Sequence, residues 1–308
     1  MRKTPTLWRQ TPGSLWRQTF RFVVLALALT SSALAQSKRA VTFDDVLNVK
    51  AVGGAAISPD GAQVLYTVRQ WVAEKDRMEA RTHVWIVPTN GASPARQLSS
   101  GDKGDTQPQW SPDGRYISFV SARGAGEDVK AQVHIMRADG GEAWKLTDSK
   151  ENVSSYSWAP DSTRIAYVAT DPRSADEEAN IKKRDDERVF EGDFRYAHIW
   201  VVDVEVRLKA DATSDRTNPA TRITEGTTYT VAGAPSWAPD GKRFVFGGGA
   251  TPMLRDNRRD IYLAELVEEG NPKRVAFTRI EKISTNFGSD TSPRWSPDGK
   301  SVAWTSEP

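Results

Sequence analysis

One short phrase returns five times along this chain of 308 residues. It reads Ser58-Pro59-Asp60-Gly61, Ser111-Pro112-Asp113-Gly114, Ala159-Pro160-Asp161-Ser162, Ala238-Pro239-Asp240-Gly241 and Ser296-Pro297-Asp298-Gly299. Proline presets φ at the second position of a turn, aspartate tolerates the bridge region that follows, and glycine accepts a left-handed backbone. Each phrase therefore predicts a tight reversal between two antiparallel strands. The prolines lie 53, 48, 79 and 58 residues apart.

Strand-like runs keep step with the turns. A first run follows each one: Val64–Val68, Tyr116–Val120, Arg164–Val168, Arg243–Phe246 and Ser301–Trp304. A second comes at His83–Val87, His134–Met136, His198–Val202 and Asp260–Leu263. Short closing runs stand at Arg96–Leu98, Trp144–Thr147 and Thr221–Thr224. Four short strands in roughly 50 residues are the mark of a propeller blade. The expected fold is all-β: an incomplete β-propeller of about four and a half antiparallel blades, near 52–100, 105–148, 152–225, 232–285 and 290–308. Trp110, Trp158, Trp237 and Trp295 stand two residues before their prolines, with Ile57 in the first unit, and are expected to pack between neighbouring blades.

Residues 1–35 read as an address. They hold five basic residues and no acid, then the apolar run Phe22–Leu29 and the small-residue stretch ending Ala33-Leu34-Ala35. That is the pattern of a signal-peptide helix, with cleavage expected after Ala35 and a periplasmic or secreted product. The run is too short to span a bilayer. The formal charge is +2, and without those five cations it is −3, so the net charge gives no support for a nucleic-acid partner. There is no cysteine, which excludes disulfides, thiolate metal sites and a cysteine nucleophile.

Functional motifs are few. His83, His134 and His198 open the same strand of successive units, with Asp260 in the fourth place, which points to a shared strand-edge role rather than a metal or catalytic centre. The longest spacing hides a charged insertion, Asp171–Asp193, in which Ser174-x-x-Glu177 predicts a capping box and Glu178/Lys182 an i,i+4 pair on a short helix. A smaller polar insertion is Arg207–Asn218. Ser121–Glu127 and Gly247–Gly249 read as glycine loops after second strands. The chain contains no G-x-S-x-G, H-E-x-x-H, P-loop or dinucleotide fingerprint, so no catalytic residue and no cofactor is assigned. The adjacent acids Asp44/Asp45, Glu177/Glu178, Asp185/Asp186 and Glu268/Glu269 read as surface solvation. Because Ser301–Thr305 is the second strand of a fifth unit, the chain is expected to be the N-terminal part of a longer protein.

The repeats resemble the WD40-like propeller repeats of the TolB periplasmic protein and of the prolyl oligopeptidase family of serine peptidases. The opening Val41–Leu47 with Ala56–Gly61, and Phe194–Asp203 after the charged insertion, are similar to secreted dipeptidyl aminopeptidases and acylaminoacyl peptidases. That resemblance implies a propeller gating access to a C-terminal α/β-hydrolase domain on polypeptide beyond Pro308, with peptides as substrates. It also implies a substrate-amine role for acids of a propeller insertion, here Glu177 and Glu178, although the residues around them do not clearly match that motif. The alternative it leaves open is a TolB-like, non-enzymatic periplasmic binding propeller.

Overall fold

The computed structural model describes residues 39–124, 128–183, 194–204, 220–253, 258–269 and 274–307. The signal segment 1–35, the insertion Arg207–Asn218, the pair Asp185/Asp186 and positions 184–193 of the charged insertion lie outside the described residues. Residues up to Val49 form a unit of their own. In it, helix α1 (Phe43–Leu47) is closed by a capping box between Thr42 and Asp45.

From Lys50 onward the described chain is almost entirely antiparallel sheet. Sheet one holds β1 (Ala51–Ile57), β2 (Gln63–Glu74), β3 (Arg77–Pro88) and β4 (Arg96–Gln97). Sheet two holds β5 (Asp105–Trp110), β6 (Tyr116–Ser121), β7 (Gln132–Arg137) and β8 (Trp144–Lys145). Sheet three holds β9 (Val153–Trp158), β10 (Arg164–Thr170), β11 (Ala197–Asp203) and β12 (Thr221–Arg222). Sheet four holds β13 (Thr230–Trp237), β14 (Arg243–Gly249), β15 (Arg259–Glu269) and β16 (Arg274–Lys282), and a two-stranded sheet of β17 (Ser289–Trp295) and β18 (Val302–Glu307) follows. Within each sheet the strands pair in chain order, and the first strands of successive sheets adjoin one another. These are the blades of a partial β-propeller, four complete and one of two strands.

The Pro-Asp-Gly turns join first to second strands, and their polar atoms close on themselves. In the second blade the Gly114 amide donates to the Ser111 carbonyl (2.9 Å), and Asp113 accepts from the Ser111 hydroxyl (2.6 Å) and the Arg115 amide (3.0 Å). Asp60 and Asp298 repeat that pattern with Ser58 and Ser296. Successive turns also touch. A Cβ added to Gly114, Gly241 or Gly299 would lie 3.8, 3.7 or 3.4 Å from the ring of Pro59, Pro160 or Pro239 in the preceding turn. Between the second and third blades a hydrogen bond does this work, the Asp113 amide donating to the Ser162 hydroxyl at 3.0 Å.

The tryptophans before the prolines lie between blades. Trp158 is 7% exposed and its indole N–H donates to Ser118 Oγ of the preceding blade at 2.8 Å. Trp110 donates to the Ala56 carbonyl (3.3 Å), and Arg164 and Arg243 of the preceding blades lie over the rings of Trp237 and Trp295. Ile57, in the equivalent place of the first blade, is 67% exposed, because no described residues cover that flank.

Two expectations need correction. Gly247–Gly249 is not a loop: all three residues are buried in β14 and pair with β13 and β15. The missing side chain of Gly248 makes room for the Tyr262 ring, which a Cβ there would approach to 3.0 Å, while a Cβ on Gly247 or Gly249 would press on backbone carbonyls at 3.4 and 3.3 Å. And β2 and β3 are not short runs joined by a loop. They stay paired out to Glu74 and Arg77, whereas β1 stops pairing at Arg69, so the hairpin projects beyond its blade as a two-stranded ribbon. About five extra residues per strand carry it roughly 16 Å out.

Candidate functional site

The strand order gives each blade two distinct ends. One carries the Pro-Asp-Gly turns; the other carries the β2–β3 type connections and the links to the next blade. The charged insertion and the projecting ribbon are both connections of the second kind, so they share one end.

A row of polar side chains lies just inside that end. The equivalent positions are fixed by a repeated bond, in which the next backbone amide of the third strand donates to a hydroxyl: Val84 to Ser99, Val133 to Thr147, Ile199 to Thr224 and Ile261 to Ser284, at 2.8–3.0 Å. The row is therefore His83, Gln132, His198 and Asp260. His134 does not belong to it, contrary to the sequence register. It sits two residues further along β7, stacked on Phe119 with ring centroids 6.1 Å apart. The spacing misled because Gln132 lies 20 residues past Pro112, just short of the 24 and 21 that separate His83 and Asp260 from their prolines, whereas His134 at 22 falls between them. Gln132 accepts from Thr147 Oγ1 at 2.7 Å, and Asp260 accepts from Ser284 Oγ and pairs with Lys282 at 2.8 Å. The three histidines lie in three different blades, each with its own partners.

The insertion is fastened at its root by charges. His198 is fully buried, with Nε2 3.3 Å from Asp171 and Nδ1 3.2 Å from Thr224 Oγ1. Burial, then the Arg222 charge, hold its pKa below the ordinary imidazole value despite Asp171. Arg222 pairs with Asp171 at 3.0 Å and lies over the Trp200 ring. The Asp171 amide donates to the Tyr196 carbonyl (2.9 Å), closing the neck of the insertion, and Arg195 donates to Glu151 (2.8 Å) on its far side. Beneath this neck is a cavity of about 300 Å³ lined by Glu151, Tyr167, Pro172 and Trp200 among others.

From the neck rises helix α2 (Ala175–Lys182), with the capping box read from Ser174-x-x-Glu177. Glu177 accepts from the Ser174 amide at 2.5 Å, and this bond, followed by the Ser174 hydroxyl, lowers its pKa. Glu178 is exposed, and among the described residues it forms no ion pair with Lys182. The two neighbouring carboxylates thus have different surroundings, one turned back to cap the helix and one facing solvent.

The first strands of neighbouring blades hold residues that sequence reading missed. Gln107 and Gln109 on β5 donate to the Ser154 and Tyr156 carbonyls of β9, both at 2.9 Å, and the Tyr156 hydroxyl donates to the Gln107 carbonyl at 2.7 Å. Gly54, Gln107, Gly233 and Ser292 take positive φ at bulges of their first strands. The nearest sequence signal was Gln107-Pro108 and Ser292-Pro293, since a proline in a strand marks an edge or a bulge. A cavity of about 390 Å³ lies there, lined by Gln109, Tyr156, Trp158, Trp237 and Arg294 among others.

Known proteins agree with this architecture. No protein-family model matches the chain. It is similar to an uncharacterised peptidase of Bacillus subtilis, YuxL, at 30% identity over 243 residues, 73% of this chain and 34% of that protein. It is similar to dipeptidyl-peptidase 5 of Porphyromonas gingivalis at 25% identity over 299 residues, 92% of this chain and 41% of that one. A puromycin-hydrolysing peptidase of Mycobacterium tuberculosis shares the fold, with a TM-score of 0.53 at 15% identity over 84% of this chain and 35% of that one. The chain is a β-propeller of the kind carried by prolyl oligopeptidase (S9) family peptidases. It spans about a third to two-fifths of the length of the curated relatives named here.

Proposed function

We propose that this chain is the substrate-gating propeller of an exported serine peptidase of the dipeptidyl or acylaminoacyl type. Its α/β-hydrolase domain is carried on further polypeptide. The observation that supports this most is the kinship to YuxL, which runs through 73% of the chain. The charged insertion, rooted by Asp171 and Arg195 at one end of the blades, gives that end the polar reach a gate over a peptide needs. In this reading segment 1–35 directs export, and the acids of the insertion, Glu178 facing solvent and Glu177 beside it at the helix cap, attract the amine of an incoming peptide, an attraction of charge-assisted kind.

The purified chain is expected to leave chromogenic dipeptidyl and acyl-aminoacyl substrates intact; turnover by it would overturn the division of labour. In the longer protein, replacing Glu177 and Glu178 with alanine should raise KM for substrates with a free N-terminus and spare blocked ones. An unchanged KM removes the two glutamates from the reading.

A further inference from the structure

The ribbon of the first blade has two unlike faces. Glu74–Arg81, Arg77–Glu79 and Arg81–Asp102 ion pairs lace one face. The other, set by the pairs Trp71↔Ala80 and Ala73↔Met78, is apolar, with Trp71 44% and Met78 41% exposed. It continues the side of the sheet on which Leu65, Val84 and Ile86 pack against Ile117 and Phe119 of the second blade. Lower in the sheet that flank meets the second blade, whose next neighbour bears α2. At its base Arg69 lies over the Trp71 ring and, among the described residues, forms no ion pair.

Helix α2 carries the complementary chemistry. Ile181 is its one large apolar side chain and is 48% exposed. Glu178 lies three residues earlier and so shares its face. The segment Asp171–Ser174 plus eight helical residues reach about 25 Å, against about 20 Å for two sheet spacings.

We propose that α2 and the ribbon form a clasp that closes over the end of the second blade, Ile181 seating on Trp71 and Met78 while Glu178 pairs with Arg69. The clasp describes the blades' end before a peptide amine takes Glu178 from Arg69, and it needs no hydrolase to be observed.

The absence of native cysteine makes the test direct. Met78→Cys with Ile181→Cys should oxidise to a disulfide about tenfold faster than Glu79→Cys with Ile181→Cys, whose ribbon position faces the other way, because closure raises the local thiol concentration. Adding Arg69→Glu should slow the first pair, and adding Glu178→Arg to that should restore it. Equal rates for the two pairs, or no restoration by the charge swap, would overturn the clasp. Should the Met78 variant lose its cooperative melt, Trp71→Cys with Ile181→Cys samples the same face. The outcome does not depend on peptide hydrolysis, so the clasp and the peptidase reading can fail separately.

Discussion

Gly61 and Gly248 show how one residue type serves two needs. Gly61 sits at φ +71° with nothing within 4 Å of a would-be Cβ, so Gly61→Ala should cost only the left-handed backbone, about 1–2 kcal/mol by denaturant titration. Gly248 has no such φ, but a methyl group there meets the Tyr262 ring. Gly248→Ala should therefore destabilise by about 1–3 kcal/mol through overpacking, and Tyr262→Leu should relieve much of that. Asp113 argues likewise. Burial pushes its pKa up, yet the Ser111 hydroxyl, the Arg115 amide and the Arg115 side chain outweigh it and leave it lowered. Asp113→Ala should cost about 1–3 kcal/mol at neutral pH, since the charged acceptor closes the turn.

Elements were legible where pattern and packing agree. The turns, the register of second strands and the capped helix could all be read, because each rests on local chemistry: a proline φ, a left-handed glycine, a Ser-x-x-Glu box. The ribbon could not. Its residues Arg69-Gln-Trp-Val-Ala-Glu alternate as a strand should, but polar side chains interleave them and no core partner calls attention to them. Gly247–Gly249 was misread because glycine signals a loop unless a neighbouring ring fills the space it leaves. In the site, the helix bearing Glu177 and Glu178 could be foreseen, whereas the Asp171–His198–Arg222 root joins residues up to 51 positions apart and carries no local signal. The helix itself should respond to its cap: Ser174→Ala should cost about 1 kcal/mol of local stability. Faster proteolysis within the insertion at unchanged global stability would register it, and an unchanged cleavage rate would contradict it.

At the scale of the whole molecule, neighbouring blades determine what each position is worth. Trp158 and Ile57 occupy the same repeat position, one covered and one open. Trp158→Ala should cost about 3–5 kcal/mol, whereas Ile57→Thr should stay within about 0.5 kcal/mol; comparable losses would contradict the open flank. The acid response also belongs to the whole fold. Burial is the leading cause that lowers the pKa of both His134 and His198. Unfolded, these rings take up protons near pH 6.5, while the folded chain resists. Stability should fall as pH drops through that value and level off only below the folded-state pKa values. The melting temperature should drop between pH 7.5 and 5.5, and by less in His198→Gln; an equal drop in both would rule out the buried ring as a cause.

The approach of Gly114, Gly241 and Gly299 to the prolines of the turns before them has a consequence for growth. Such joints, like the tryptophan seams beside them, are made only by immediate neighbours, as in other arrays whose stability sums over adjacent repeats. Duplicating one unit copies both halves of the joint, so the ring's circumference can change over evolutionary time without re-engineering any spoke.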